Sequence, residues 1–146
     1  MSFSANKKAY FDYEILDTLE AGLVLLGQEV KAIRAGKCSI QGAYVKIISG
    51  ELFLIGATVS PYQPNNIQKG YDPERSRKLL IKKSQLNHLV GKTEEKGITL
   101  VPISLYDRNG VIKLEIGIAR GKKKYDKREV IKKRDFKRSR DKLMRS

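Results

Sequence analysis

The stretch Val101-Pro102-Ile103-Ser104-Leu105-Tyr106-Asp107-Arg108-Asn109-Gly110-Val111-Ile112-Lys113-Leu114-Glu115-Ile116-Gly117-Ile118 decides the fold. In its second half Ile112, Leu114, Ile116 and Ile118 alternate with Lys113, Glu115 and Gly117, the period of a strand with one buried and one wet face. Val101, Ile103 and Leu105 alternate in the same way before it. Asn109-Gly110 stands between the two runs and readily takes the positive φ angles of a tight hairpin turn, so the strands are expected to pair antiparallel.

Working outward, Phe53, Ile55, Ala57 and Val59 mark a further strand, entered through Ser49-Gly50-Glu51 from a strand over Tyr44 to Ile48. Tyr13 to Leu16 and Leu23 to Leu26 are strand-like around the link Glu20-Ala21-Gly22, and Lys78 to Lys82 adds another strand. Helical spacing occurs twice. Leu26, Val30 and Ile33 lie at i, i+4 and i+7, with Glu29, Lys31 and Arg34 expected outside and Gly36 as a stop. Ser84 is positioned to cap a second helix, whose stripe of Leu86, Leu89 and Val90 precedes Gly91. Short strands at regular spacing with two small helices predict a mainly β fold, a closed barrel of the oligonucleotide-binding type. The segment from Ser60 to Arg77, with Pro61, Pro64, Asn65, Asn66, Gly70 and Pro73, is too long for a simple connection and is expected to be functional or mobile.

A length of 146 residues predicts one core, but a formal net charge of +14 exceeds what solubility asks of a small domain. Nucleic acid is the natural counterpart, because neutralising phosphates releases condensed counterions. The charge is also uneven. Residues 119–146 hold 14 Lys and Arg against 4 Asp and Glu, whereas residues 1–118 hold 16 against 12. The chain therefore divides into a body, 1–118, and a basic tail, 119–146.

Other classes find little support. The start Met1-Ser2-Phe3-Ser4-Ala5-Asn6 offers neither an amphipathic anchor nor a lipidation signal, and no apolar run reaches the length of a membrane span. Tyr10, Asp12 and Glu14 follow the basic start where a signal peptide would be apolar, so a cytoplasmic location without a membrane partner is expected. Cys38 is the single cysteine and His88 the single histidine, which leaves each without the partners of a nucleophile or metal site. Cys38 is expected to be inert and His88 a solvated surface group. Glu94 and Glu95 sit between Lys92 and Lys96 as a solvated charged turn, and Gly117 to Lys122 lacks the spacing of a phosphate-binding loop. No catalytic residue, metal ligand or cofactor is expected.

The tail has good helix formers and no proline, but Val130, Ile131, Phe136, Leu143 and Met144 are too sparse for a stripe that packs on the body. It is expected to be disordered when free and to become helical on an RNA surface, where Tyr125 can stack on a base. Composition alone leaves three readings open: an adaptor for one RNA, a ribosomal protein or general RNA chaperone, and a nuclease, the last disfavoured by the missing general base.

Seven runs narrow the choice: Asn6-Lys7-Lys8-Ala9, Glu20-Ala21-Gly22, Gly27-Gln28-Glu29-Val30-Lys31, Ile33-Arg34-Ala35-Gly36-Lys37, Ser60-Pro61-Tyr62, Arg77-Lys78-Leu79-Leu80 and Gly121-Lys122-Lys123-Lys124-Tyr125-Asp126-Lys127-Arg128. In this order they resemble the SmpB family, the SsrA-binding proteins that hold transfer-messenger RNA in bacterial trans-translation. The resemblance covers nearly the whole chain. It implies a non-catalytic monomer whose barrel holds the tRNA-like domain and whose tail meets ribosomal RNA at the decoding centre and in the message channel of a stalled ribosome. By matching positions it implies that Glu20, Leu80 and Lys82 contact the RNA elbow and that Lys7, Lys8 and Arg34 contact phosphate. Gly121 to Arg128, with Tyr125, Asp126, Lys127 and Arg128 at its end, would reach the decoding centre, and Ile131, Lys132 and Lys133 would lie in the channel helix. Phe11 and Lys82 depart from the histidine, and the histidine or asparagine, that the family pattern leads us to expect.

Overall fold

A computed structural model describes residues 2–61 and 70–121. The strands are β1 (Ser2–Ala5), β2 (Tyr13–Leu23), β3 (Cys38–Ser39), β4 (Tyr44–Ile48), β5 (Glu51–Ile55), β6 (Thr58–Val59), β7 (Arg77–Leu80), β8 (Ile98–Arg108) and β9 (Val111–Gly121). The helices are α1 (Lys8–Asp12), α2 (Gly27–Arg34) and α3 (Lys83–Thr93). The fold is mainly β.

The hairpin anticipated around Asn109-Gly110 is its spine. Arg108 pairs with Val111 and Tyr106 with Lys113, and Asn109 and Gly110 adopt φ of 52° and 84°. Outward from it the hydrogen-bonded order is β8, β4, β5, β7, β2, β9, and β9 returns to β8, so six strands close a ring while β1 adds to β8 from outside. All these pairings are antiparallel. The seam between β4 and β8 is the thinnest, resting on Val45 opposite Leu100.

Ile112, Leu114, Ile116 and Ile118 point into the main core, as their alternation predicts, with Leu52, Leu54, Leu79, Leu100 and Leu105. Val101, Ile103 and Leu105 do not share a face. The register shifts between Pro102 and Ser104, where proline has no N–H for the ladder, so Val101 turns to a second cluster with Ala9 of α1 and Ala119 while Leu105 faces inward.

Several further expectations are corrected. Glu20-Ala21-Gly22 is no hairpin link but lies within the continuous eleven-residue β2, opposite Glu115, Leu114 and Lys113 of β9. A register shift between Ile15 and Asp17 hides the strand's period from the sequence. The strand expected from Phe53 to Val59 breaks at Gly56, which has φ of 83°, into β5 and β6. The strand expected from Lys78 to Lys82 runs instead from Arg77 to Leu80. Lys82, not Ser84, is the N-cap of α3, which passes through Gly91 to Thr93. Glu29, expected outside α2, is wholly buried. β9 continues through Gly121, and Ile118 and Ala119 near its end are buried.

Candidate nucleic-acid interface

One outer-face row crosses four strands. Tyr106 of β8 stands opposite Lys113 of β9, Lys113 opposite Gly22 of β2, and Gly22 opposite Leu80 of β7. At the usual strand spacing the row spans about 14 Å. Gly22 leaves a notch in it: a Cβ there would stand 3.6 Å from Leu80 Cβ and 3.7 Å from Lys113 Nζ. Leu80 is half exposed, and Lys82 follows on the surface at the start of α3.

Glu20 flanks this row. Its Oε2 accepts the Tyr106 hydroxyl and, at 2.9 Å, Arg108 Nη1. The hydrogen bond from Tyr106, followed by that from Arg108, holds the Glu20 carboxyl below its ordinary value of 4.5. Burial, reinforced by the same bond, raises the Tyr106 phenol, which therefore stays a neutral donor. The structure thus brings Glu20 and Leu80 together on one face and adds Tyr106, Arg108 and Lys113, which sequence reasoning did not single out. A signal existed, since a two-residue turn at Asn109-Gly110 already sets Arg108 against Val111 and Tyr106 against Lys113.

Other expected contacts lie elsewhere. Arg34 donates to Asp107 Oδ1 at 3.0 Å and to the Gly110 carbonyl at 2.8 Å, with its guanidinium 5.9 Å from the centre of the Phe3 ring. It clamps α2 to the hairpin turn. Lys7 and Lys8 are exposed at the start of α1, whose Ala9 packs on Ala119, six residues and about 20 Å along β9 from Lys113. Phe11 is exposed on the same helix. The tail positions Lys122, Lys123, Lys124, Tyr125, Asp126, Lys127, Arg128, Ile131, Lys132 and Lys133 lie outside the described residues, while Gly121 ends β9 opposite Tyr13.

A second polar cluster is internal. Glu29 accepts from the Leu26 amide at 2.8 Å, from Arg77 Nε at 2.8 Å, from Arg75 Nε at 3.1 Å and from the Tyr71 hydroxyl at 3.3 Å. Arg77, also buried, donates onward to the carbonyls of Ala57, Pro73 and Arg75. Burial pushes the Glu29 carboxyl up, but the bonds from Arg75, Leu26 and Arg77 outweigh it and hold the group below 4.5. The network pins residues 71–77 onto α2, which is a structural task. Of the long segment from Ser60 to Arg77, residues 62–69 lie outside the described residues. Burial raises the Cys38 thiol, His88 is exposed, and no group of three or more His, Cys, Asp or Glu among the described residues is arranged to hold a metal.

The model of the SmpB protein family matches residues 3–146. The chain belongs to the SmpB family. The SsrA-binding protein of Nitrosomonas europaea is 50% identical over 145 residues, covering 99% of this chain and 96% of that one. The SsrA-binding protein of Thermosynechococcus vestitus is 49% identical over 142 residues, covering 97% and 93%. A solved structure described as "tmRNA-SmpB: a journey to the center of the bacterial ribosome" aligns at a TM-score of 0.68 and 43% identity, over 87% of this chain and 92% of that one. The SmpB match extends beyond the ring of strands into the basic tail.

Proposed function

We propose that this protein binds transfer-messenger RNA by its tRNA-like domain and delivers it to the A site of stalled ribosomes for trans-translation. The observation that carries this reading is the family match over residues 3–146, which takes in both the body and the tail motif from Gly121 to Arg128. The ring of strands acts as a closed oligonucleotide-binding-type barrel, and residues 119–146, disordered when free, become helical against ribosomal RNA at the decoding centre and in the message channel. The protein works as a cytoplasmic monomer without catalysis or cofactor. Lys7, Lys8, Glu20, Leu80 and Lys82 serve the RNA-binding body, while Arg34 shapes the hairpin beside it.

Within the tail, Asp126 is an odd choice for a segment meant only to attract phosphate. Its carboxylate is suited to cap a helix, satisfying free backbone N–H groups and fixing where the helix starts. A cap is worth about 1 kcal/mol, enough to set the register of a helix that is marginal alone. Lys127 and Arg128 then make charge-assisted contacts to ribosomal phosphates. A peptide-tagging assay on stalled ribosomes tests this. Replacing Asp126, Lys127 and Arg128 by alanine should abolish tagging while RNA binding by the body persists, and full activity of a shuffled tail of equal charge would overturn the assignment. Retention of one structured RNA at salt that strips the others separates this adaptor from a general RNA chaperone.

A further inference from the structure

We propose that the RNA-contacting face of the body runs from Leu80 over the Gly22 notch and Lys113 to Tyr106 and Arg108, with Glu20 as the positioning residue that aims Arg108 and Tyr106 at the RNA. The proposal rests on the transfer-messenger RNA reading and deepens it. Glu20 by itself is a strange feature on a face meant for a polyanion, since its charge repels phosphate. The geometry resolves this. One oxygen, Oε2, is engaged by both Tyr106 and Arg108, so the carboxylate is largely spent inside the protein.

What it holds is well suited to RNA. The Arg108 side chain is 64% exposed at the tip of the β8–β9 hairpin, against 28% for Glu20. An exposed pair of this kind adds little to stability, so holding the fold together does not account for it. It does fix a long side chain that otherwise samples many rotamers, which lowers the ordering cost when a ligand binds. Among the described residues only Nη1 of Arg108 has a hydrogen-bond partner, so the Nε and Nη2 edge retains its donors, the fork that matches two phosphate oxygens. Tyr106 donates its proton to Glu20, which leaves the phenol oxygen to accept from a ribose hydroxyl or a base amino group. Lys113 stands beside Tyr106 in register and supplies a second cation. The bare backbone at Gly22 lets a strand of RNA approach closely between Lys113 and Leu80.

The test uses the full-length chain, a transcript of the tRNA-like domain and a scrambled RNA of equal length, titrated over a salt series. Wild type must first prefer the tRNA-like transcript; equal affinity for both RNAs would overturn the partner reading itself. Arg108→Ala should then lose about tenfold on that transcript and flatten the slope of log K against log salt by about one contact. Glu20→Ala should flatten the slope as well, although it removes a negative charge. The double variant should be no worse than Arg108→Ala within about twofold. Arg108→Lys, which keeps the charge without the fork, should recover the slope but only part of the affinity. Each variant should melt close to wild type. Unchanged binding by Arg108→Ala would remove Arg108 from the interface. Multiplying losses in the double variant, with an unaltered slope for Glu20→Ala, would make Glu20 a direct contact and overturn the positioning role.

Discussion

Replacing Glu29 with alanine should be among the most damaging single changes in the body. The side chain is wholly buried and Arg77, its partner at 2.7 Å, is 1% exposed. Removing one member of a buried pair costs about 3–5 kcal/mol, because the other charge stays behind without its counterion. The structure places this case near the middle of that range. Arg77 would keep its bonds to the carbonyls of Ala57, Pro73 and Arg75, and Arg75, 29% exposed, can turn to water. The Leu26 amide at the start of α2 would lose its acceptor, however, adding about 1 kcal/mol. A loss of about 4 kcal/mol is a large part of the 5–15 kcal/mol typical of a domain. In urea it should lower the midpoint by about 2 M if the slope stays near 2 kcal/mol per M. The pH dependence has a definite sign. The folded carboxyl lies below its ordinary 4.5, so its contribution is fully present above that value and disappears as pH falls through the folded one. The gap between wild type and Glu29→Gln should therefore shrink on acidification. A loss below about 1 kcal/mol for Glu29→Ala, the scale of a surface pair, would refute the reasoning.

Other outcomes follow from single features. Truncation after Gly121 should leave a folded, RNA-binding body, whereas truncation after Gly117 removes the buried Ile118 and Ala119 and their pairing with Leu100 and Thr99; circular dichroism and melting distinguish the two, and a native melt for the shorter chain would count against the register. Burial of Ile118 alone is worth about 1.5–3 kcal/mol. Gly117→Ala should destabilise by about 1–3 kcal/mol in the same melts, because its methyl would meet Ile103 Cδ1 at 3.0 Å and Ile15 Cδ1 and Val101 Cγ2 at 3.3 Å. Cys38 should react with iodoacetamide more slowly than a free thiol near pH 8, since burial raises its pKa and reduces the thiolate.

How much of this was legible depended on how local each signal was. The β8–β9 hairpin was readable because its turn chemistry and the alternation of Ile112 to Ile118 lie within one short window and agree. β2 was misread as two pieces because a register shift interrupts its period and Glu20-Ala21-Gly22 has the composition of a turn, while pairing with β9 on one side and β7 on the other holds it extended. Glu29 looked solvent-facing because its partners Arg75 and Arg77 lie 46 and 48 residues away, beyond any helical pattern. Its place three residues after the helix N-cap was the one local hint, since a glutamate there can reach back to the cap amide. The resemblance to the SmpB family supplied Glu20 and Leu80 as candidates, but Tyr106 and Arg108 emerged only when the strand register set them beside Glu20.

The same hairpin explains why the two ends of the protein need not compete for RNA. β9 carries Lys113 near one end and Gly121, from which the tail departs, at the other. Eight residues of extended chain separate them, about 27 Å. Hydrogen bonding to β2 on one side and β8 on the other keeps that span stiff. A body built as a small helical bundle would offer no such fixed spacing between a face and a chain end. Here the face around Leu80, Lys113 and Arg108 can hold one RNA while the tail's starting point is presented at a set distance, beside the exposed Tyr10 and Phe11 of α1. Shortening β9 would alter that distance as well as the core, so insertions meant to vary the reach of the tail belong after Gly121.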